Sequence, residues 1–304
     1  MLTEAGNGLI EAPIFGLLAA LFWGTTDFVS RYPSRKIGPE YSTAYMQLLS
    51  MVGFTIYFLV TGFPSPEFLS KGGDLLLVVL VAGVLNVFGL MQLYRAFSVG
   101  NMSLSAPIGS SYPIFTILLG FIILRQGIGL EKGIAITIVI LGVMLTGITS
   151  DYQSADNSPP RRRRNVSAVV SAITASVFFG AAYLGIDAAS DYFGSILTIW
   201  FVRIGAVLFA FPLLLLVTKK LVWPKGETWK WLILMGVLDT AGFVALTLGY
   251  IYSGNSPAIV TTLSSLLGAV TTILATAVYK DRLTKIQIAG IAILFLGVII
   301  VLNV

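Results

Sequence analysis

The chain has 304 residues, of which 56% are hydrophobic and 11% charged, and its mean hydropathy is +0.90. A soluble globular domain carries about a quarter charged residues, so this composition excludes one and points to many membrane-spanning helices. The absence of cysteine and histidine excludes disulfide scaffolds, thiol nucleophiles, haem ligation and nearly all zinc or Ser-His-Asp chemistry. The formal charge of +5 sits beside apolar runs, which suits bilayer orientation better than nucleic-acid binding.

The first stretch, MLTEAGNGLIEAPIF, holds Glu4 and Glu11 and no basic residue, so it predicts an uncleaved first helix and not a signal peptide. About 20 apolar residues span a bilayer as a helix, and turn residues divide the chain into segments of that size. The first runs from Pro13 to Tyr32, the second from Tyr41 to Thr61, and the third from Asp74 to Ser98. The fourth, Ser103 to Leu124, contains Pro107 and Pro113, and the fifth covers Lys132 to Thr149. After a polar interruption the sixth covers Val166 to Ala188, the seventh Ser195 to Thr218 and the eighth Thr228 to Tyr252. The ninth starts at Ser256-Pro257, an N-cap followed by proline at the first helical position, and the tenth covers Thr284 to Leu302.

Two halves repeat one design. Leu21-Phe-Trp-Gly24 corresponds to Val177-Phe-Phe-Gly180, and GFIILRQGIGLEKGIAITIVILGVML aligns with ATAVYKDRLTKIQIAGIAILFLGVII. The second alignment pairs Gln126 with Asp281 and Gly142 with Gly297. The expected organisation is a first repeat over residues 1–150, an arginine-rich linker over 151–165 and a second repeat over 166–304. Five helices is an odd number, so the second repeat is inverted in the membrane. The expected fold is therefore an all-α integral membrane protein, ten transmembrane helices forming two inverted five-helix repeats around a central cavity.

Lysine and arginine set the orientation. Loops after odd-numbered helices hold fifteen: Arg31, Arg35, Lys36, Arg95, Arg161 to Arg164, Lys219, Lys220, Lys225, Lys230, Lys280, Arg282 and Lys285. Loops after even-numbered helices hold Lys71, Arg125 and Lys132. The expected topology puts the odd loops and the linker in the cytoplasm of a prokaryotic-type plasma membrane, with both termini outside. The four linker arginines are expected to act as pins beside anionic lipid. The Trp223, Trp229 and Trp231 turn reads as an interfacial anchor.

A charge at the bilayer centre costs on the order of 3 kcal/mol, so each needs a reason. Arg203 and Asp239 sit mid-span, either pairing for helix packing or, for Asp239, lining a cavity and meeting substrate or a proton. Arg203 matches the uncharged Gln47 of the first half, which favours a structural role. Trp23, Asp27 and Arg31 share one face of the first helix, with Asp27 and Arg31 ordered for an i,i+4 ion pair. A gating or substrate role for Asp27 is the alternative. Asn86, Gln92 and Tyr94 in helix three, Ser105, Ser110, Ser111 and Tyr112 around Pro113, and Thr261, Thr262, Ser264 and Ser265 in helix nine supply polar groups at matching depths. Singly they are interhelical glue; together they suggest a shared cavity wall. Pro113 is expected to bend helix four.

LFWGTTDF, FFGAAYLG, the arginine of IWFVRIGA, the helix starts SVGNMSLSAPIG and YSGNSPAIVTTLSS, and the closing YKDRLTKIQIAGIAILFLGVIIV carry a resemblance. In their order and doubling they resemble the drug/metabolite transporter superfamily, specifically ten-helix proteins of two EamA-type repeats. The departures are Gln126, where the turn before the last helix of a repeat usually has an acid, and Gly268, where the second half lacks the proline seen as Pro113. The resemblance implies a cavity lined by helices one, three, four, six, eight and nine, with five and ten peripheral. It implies Trp23, Asn86, Tyr94, Ser110, Tyr112, Tyr183, Phe243, Thr262 and Ser265 as cavity residues, and Asp27, Asp239 and Arg203 in coupling or gating.

The function expected is secondary active transport by alternating access, an exporter of a small organic metabolite such as an amino acid or drug-like compound, with a proton as coupling ion. A sugar or nucleotide-sugar carrier is the alternative, and an intramembrane enzyme a remote one. No cofactor, metal, catalytic residue or nucleic-acid partner is expected, and membrane lipid is. Oligomerisation is not required, since two halves complete a cavity within one chain.

Overall fold

The computed structural model describes residues 2–63, 72–125, 129–147, 159–253, 257–281 and 283–303. Twelve helices are described: α1 (Leu2–Ile37), α2 (Pro39–Thr61), α3 (Gly73–Val99), α4 (Met102–Gly109), α5 (Tyr112–Leu124), α6 (Leu130–Gly147), α7 (Pro159–Phe193), α8 (Ser195–Thr218), α9 (Glu227–Ser253), α10 (Pro257–Ser264), α11 (Leu267–Tyr279) and α12 (Lys285–Asn303). Among the described residues there is no strand. The expected fourth and ninth helices are each broken into two, α4 with α5 and α10 with α11, so the described residues form ten helical segments. Eight passes are long and apolar enough to cross a bilayer, and α6 and α12 are shorter apolar helices. Outward-facing Val60, Ile122, Leu208 and Leu216 are more than two-thirds or nearly two-thirds exposed, a surface that only lipid would cover favourably.

The contacts exchange helices between the halves. α1 packs along α9 as α7 packs along α3, and α2 meets α9 as α8 meets α3. α1 also contacts α10 and α11, matched by α7 against α4 and α5, while α6 and α12 pair with each other at the edge. That swap is the signature of two like units related by a two-fold axis. Neither half has a private core.

Turn chemistry repeats as well. The expected stop at Tyr32 does not occur, because α1 continues through Pro33 and turns only at Gly38, with φ of 95°. At the repeat-related place Gly194, φ 77°, alone joins α7 to α8. A side chain at either position would be strained in that left-handed backbone, so a one-residue turn demands glycine. Arg125 and Lys280 end α5 and α11 with φ of 53° and 55°. α7 begins at Pro159, earlier than the expected Val166, so Arg161 to Arg164 belong to helical backbone. The linker's Asp151 to Ser158 and the turn residue Gln126 lie outside the described residues.

The helix breaks meet near the axis. Pro113, in the first turn of α5, has no N–H to return to Gly109, and the chain breaks at Ser110 and Ser111 as its proline predicts. Ser176 of α7 donates its hydroxyl to the freed Gly109 carbonyl (3.2 Å) and to the Ile108 carbonyl (2.5 Å), which also accepts from the Ser111 backbone N–H (3.1 Å). The second break, at Ser265 and Leu266, has no proline. There Gly268 allows contact with the first break: a Cβ on it would lie 2.9 Å from Ser110 Cβ and 3.0 Å from the Ala106 carbonyl oxygen.

Candidate functional site

Four helices place a polar quartet in the apolar interior. Arg203 of α8 donates from Nη2 to Asp239 Oδ2 of α9 (2.8 Å), from Nη1 to Asn86 Oδ1 of α3 (3.1 Å) and from Nε to Ser50 Oγ of α2 (3.3 Å). Ser50 Oγ donates to the same Asp239 oxygen (2.6 Å), and Gln47 Nε2 to Asn86 Oδ1 (3.1 Å). The guanidinium lies 5.1 Å from the Phe243 ring centre. Arg203 and Asp239 are 2% and 6% exposed, so each charge is tolerable only through the other and its hydrogen bonds.

The quartet is itself a repeat. Gly83-Val-Leu-Asn86 and Gly236-Val-Leu-Asp239 are the same tetrapeptide with one change, and Gln47 corresponds to Arg203. The first half therefore contributes the neutral pair Gln47–Asn86, the second half the ionic pair Arg203–Asp239, and Asn86 joins them. That tetrapeptide was the sequence signal for Asn86 and Asp239 as partners in one network.

Beside the quartet lies a cavity of about 80 Å³. It brings together Trp23 and Asp27 of α1, Asn86 and Tyr94 of α3, Ser110 from the first break, Tyr112 of α5, Tyr183 of α7, Arg203, Asp239 and Phe243. Sequence reasoning missed Thr26, Leu90, Leu93, Gly109, Phe179 and Leu267, which also line it. Most were one helical turn from a residue already singled out: Asn86, Leu90 and Leu93 form one stripe, and Phe179 and Tyr183 another. The seventh pass, α8, reaches the cavity through Arg203, although the resemblance implied six other helices.

Thr262 and Ser265 are not brought there. Thr262 faces α12, where its hydroxyl accepts from Asn303 Nδ2 (3.0 Å), and Ser265 returns its hydroxyl to the Thr262 carbonyl (2.7 Å). The break between α10 and α11 turns these residues away and presents Leu267 instead.

Aromatic rings build the walls. Tyr112 and Tyr183 stack at 4.5 Å between centres, and Trp23 meets the Phe243 ring edge-on at 4.6 Å. Three of the polar groups lining the cavity have no partner among the described residues. The Asp27 carboxyl, 7% exposed, has no hydrogen-bond or ion-pair partner, and the Trp23 indole N–H and the Tyr94 hydroxyl have none either. Buried polar atoms are nearly always paired, so these three groups around one cavity are available to hydrogen-bond a ligand.

The expected Asp27–Arg31 pair does not form. Arg31, a turn nearer the helix end, lies 3.9 Å from Asp281 Oδ2, donates to the Gly100 carbonyl (3.4 Å) and sits 4.2 Å over the Tyr279 ring. Asp281 also accepts from the Ser103 backbone N–H and hydroxyl, both 3.2 Å. Arg35 Nε reaches the Ser98 carbonyl (3.0 Å). These contacts tie α1, the α3–α4 turn and the end of α11 together, closing one end of the helix basket.

Comparison with known proteins agrees with this architecture. The model of the EamA-like transporter family matches the chain twice, over residues 11–148 and 166–303. An uncharacterized protein of Methanocaldococcus jannaschii is 27% identical over 139 residues, covering 46% of this chain and 98% of that protein. A solved protein crystal structure superposes with a TM-score of 0.57 at 12% identity, covering 95% of each chain, a likeness of fold alone.

Proposed function

We infer that this chain, which belongs to the EamA-like transporter family and is therefore a membrane transporter of the drug/metabolite superfamily, exports a small organic solute by alternating access in exchange for protons. The observation that carries the reading is the contrast between two buried carboxyls in one cavity. Asp239 is held by Arg203 and Ser50, whereas Asp27 is buried without a counter-charge. A lone carboxylate in this setting is expensive, and either a proton or the cargo offsets that cost. Asp27 is thus the coupling group, and Asp239 and Arg203 hold the helices in register.

The other charged and titratable groups around it are Arg31 on its own helix, Tyr94 of α3, Tyr112 of α5, Tyr183 of α7, Arg203 of α8 and Asp239 of α9. Alternating access requires the Arg31–Asp281 contacts to part in one state and a closure at the opposite mouth to form. The one bond made and broken in the cycle is the O–H of the Asp27 carboxyl, as it takes up and releases the exchanged proton. In the proposed orientation the chain sits in the plasma membrane, the Arg31–Asp281 end and the linker are cytoplasmic, and both termini are outside.

The test is reconstitution into proteoliposomes containing a trapped pH dye, with a metabolite library presented outside. A transported solute should move protons in the wild type and in Asp239→Asn to the extent that variant folds, and not in Asp27→Asn. Solute-driven proton movement that survives Asp27→Asn removes the coupling assignment. Failure of every solute to show saturable flux removes the transporter reading itself.

A further inference from the structure

We propose that the central cavity is a site for a small protonated amine that carries no carboxylate, with Asp27 as its counter-charge. The proposal deepens the transporter reading and rests on it for everything after binding; binding itself is argued from the cavity.

The lining residues that carry formal charge are Asp27, Asp239 and Arg203. Arg203 neutralises Asp239 at 2.8 Å, and all three of its nitrogens are already bonded, to Ser50, Asn86 and Asp239. When Asp27 gives up its proton, one negative charge remains, and nothing among the described residues is directed at it. A ligand carboxylate entering here meets a net negative site, and the guanidinium that would receive it already faces the Asp239 carboxylate, with three of its five N–H groups bonded. An ammonium group meets the opposite situation: a free carboxylate to accept its hydrogen bonds in a medium of low dielectric, where such pairs are strong.

The walls favour the same charge. Trp23, Tyr94, Tyr112, Phe179, Tyr183 and Phe243 surround the space, and aromatic faces attract cations through their quadrupoles, tryptophan most of all. Two unspent groups remain, the Trp23 indole N–H and the Tyr94 hydroxyl, the latter fully buried. They suit a hydroxyl or ether oxygen on the cargo, which a neutral donor can satisfy without a second charge.

Two matched pairs test this, each amine being the amino acid without its carboxylate: isobutylamine against valine, and phenethylamine against phenylalanine. Binding to the purified full-length chain in nanodiscs is measured by calorimetry, and counterflow of each is measured in proteoliposomes. The expected result is that each amine binds at least about ten-fold more tightly than its amino acid. Asp27→Asn, which keeps the side-chain volume, should lose that amine binding while its thermal unfolding midpoint is unchanged or raised. If neither amine binds, or if either amino acid binds as well as its amine, the inference is overturned. The wild-type comparison alone decides this, so poor folding of the variant does not shelter the idea. Saturable counterflow of valine or phenylalanine with no preference for the amines would sink the amine site and leave the transporter reading standing.

Discussion

Replacing Arg203 by Gln, and Asp239 by Asn, converts the ionic half of the quartet into a copy of the Gln47–Asn86 half. Each single change strands a charge. Arg203→Gln leaves Asp239 with Ser50 as its remaining donor, and Asp239→Asn leaves the guanidinium with only neutral partners. Removing one partner of a buried pair costs about 3–5 kcal/mol, and the bonds that survive place each single near the low end, about 3 kcal/mol. The double variant strands nothing. A neutral amide pair replaces the ionic one, and the loss should be about 1–2 kcal/mol, chiefly from imperfect hydrogen bonding. Additivity would predict about 6 kcal/mol, twice the assumed cost of a single. Unfolding free energies from denaturing-detergent titrations of wild type, both singles and the double, followed by circular dichroism, close the cycle. A double variant that loses the sum of the singles, or a harmless Arg203→Gln, would refute the argument that the second half needs its ion pair where the first half uses amides.

Three further outcomes follow from the geometry. Gly268→Ala places a Cβ 2.9 Å from Ser110 Cβ and 3.0 Å from the Ala106 carbonyl oxygen, so it should destabilise by about 1–3 kcal/mol in the same titration, and Ser110→Gly should return part of the loss. The chain has no cysteine, so Thr26→Cys supplies a single thiol in the cavity. An impermeant thiol reagent on the Arg31 side should label it several-fold faster once Asp281→Asn has weakened the closure, and equal rates would show that those contacts do not guard the cavity. Protease confined to the cytoplasmic side should cut between Ser158 and Asn165, whereas cleavage from outside would reverse the proposed topology.

Much of the architecture was legible because bilayer thickness dictates segment length and turn residues punctuate it. Ten passes, the doubled design and the match of Gln47 with Arg203 all came from the chain alone. What stayed hidden was which side of each helix faces inward. Membrane helices are apolar around their whole circumference, so hydrophobic periodicity no longer distinguishes core from exterior. That is why Leu90, Leu93 and Phe179 escaped notice beside Asn86, Tyr94 and Tyr183. Thr262 and Ser265 misled for another reason. Their depth matched that of Ser110, but the second break lacks a proline, and the chain there turns Leu267 toward the cavity. Arg31 was read against the nearest acid in sequence, Asp27, while its partner Asp281 comes from the opposite end of the chain. The glycines at 38 and 194 were an unused clue to the repeat.

The Arg31–Asp281 contact carries a consequence for the resting state. The repeat-related positions are Asp187 and Gln126, an acid and an amide, which cannot form an ion pair. Two mouths built to one plan are therefore latched unequally. On the alternating-access proposal, unequal latches bias which facing state the empty carrier populates before any cargo arrives. The broken symmetry thus sets how the empty carrier's states are populated and how fast they exchange, while the gradients across the membrane set the net direction of flux.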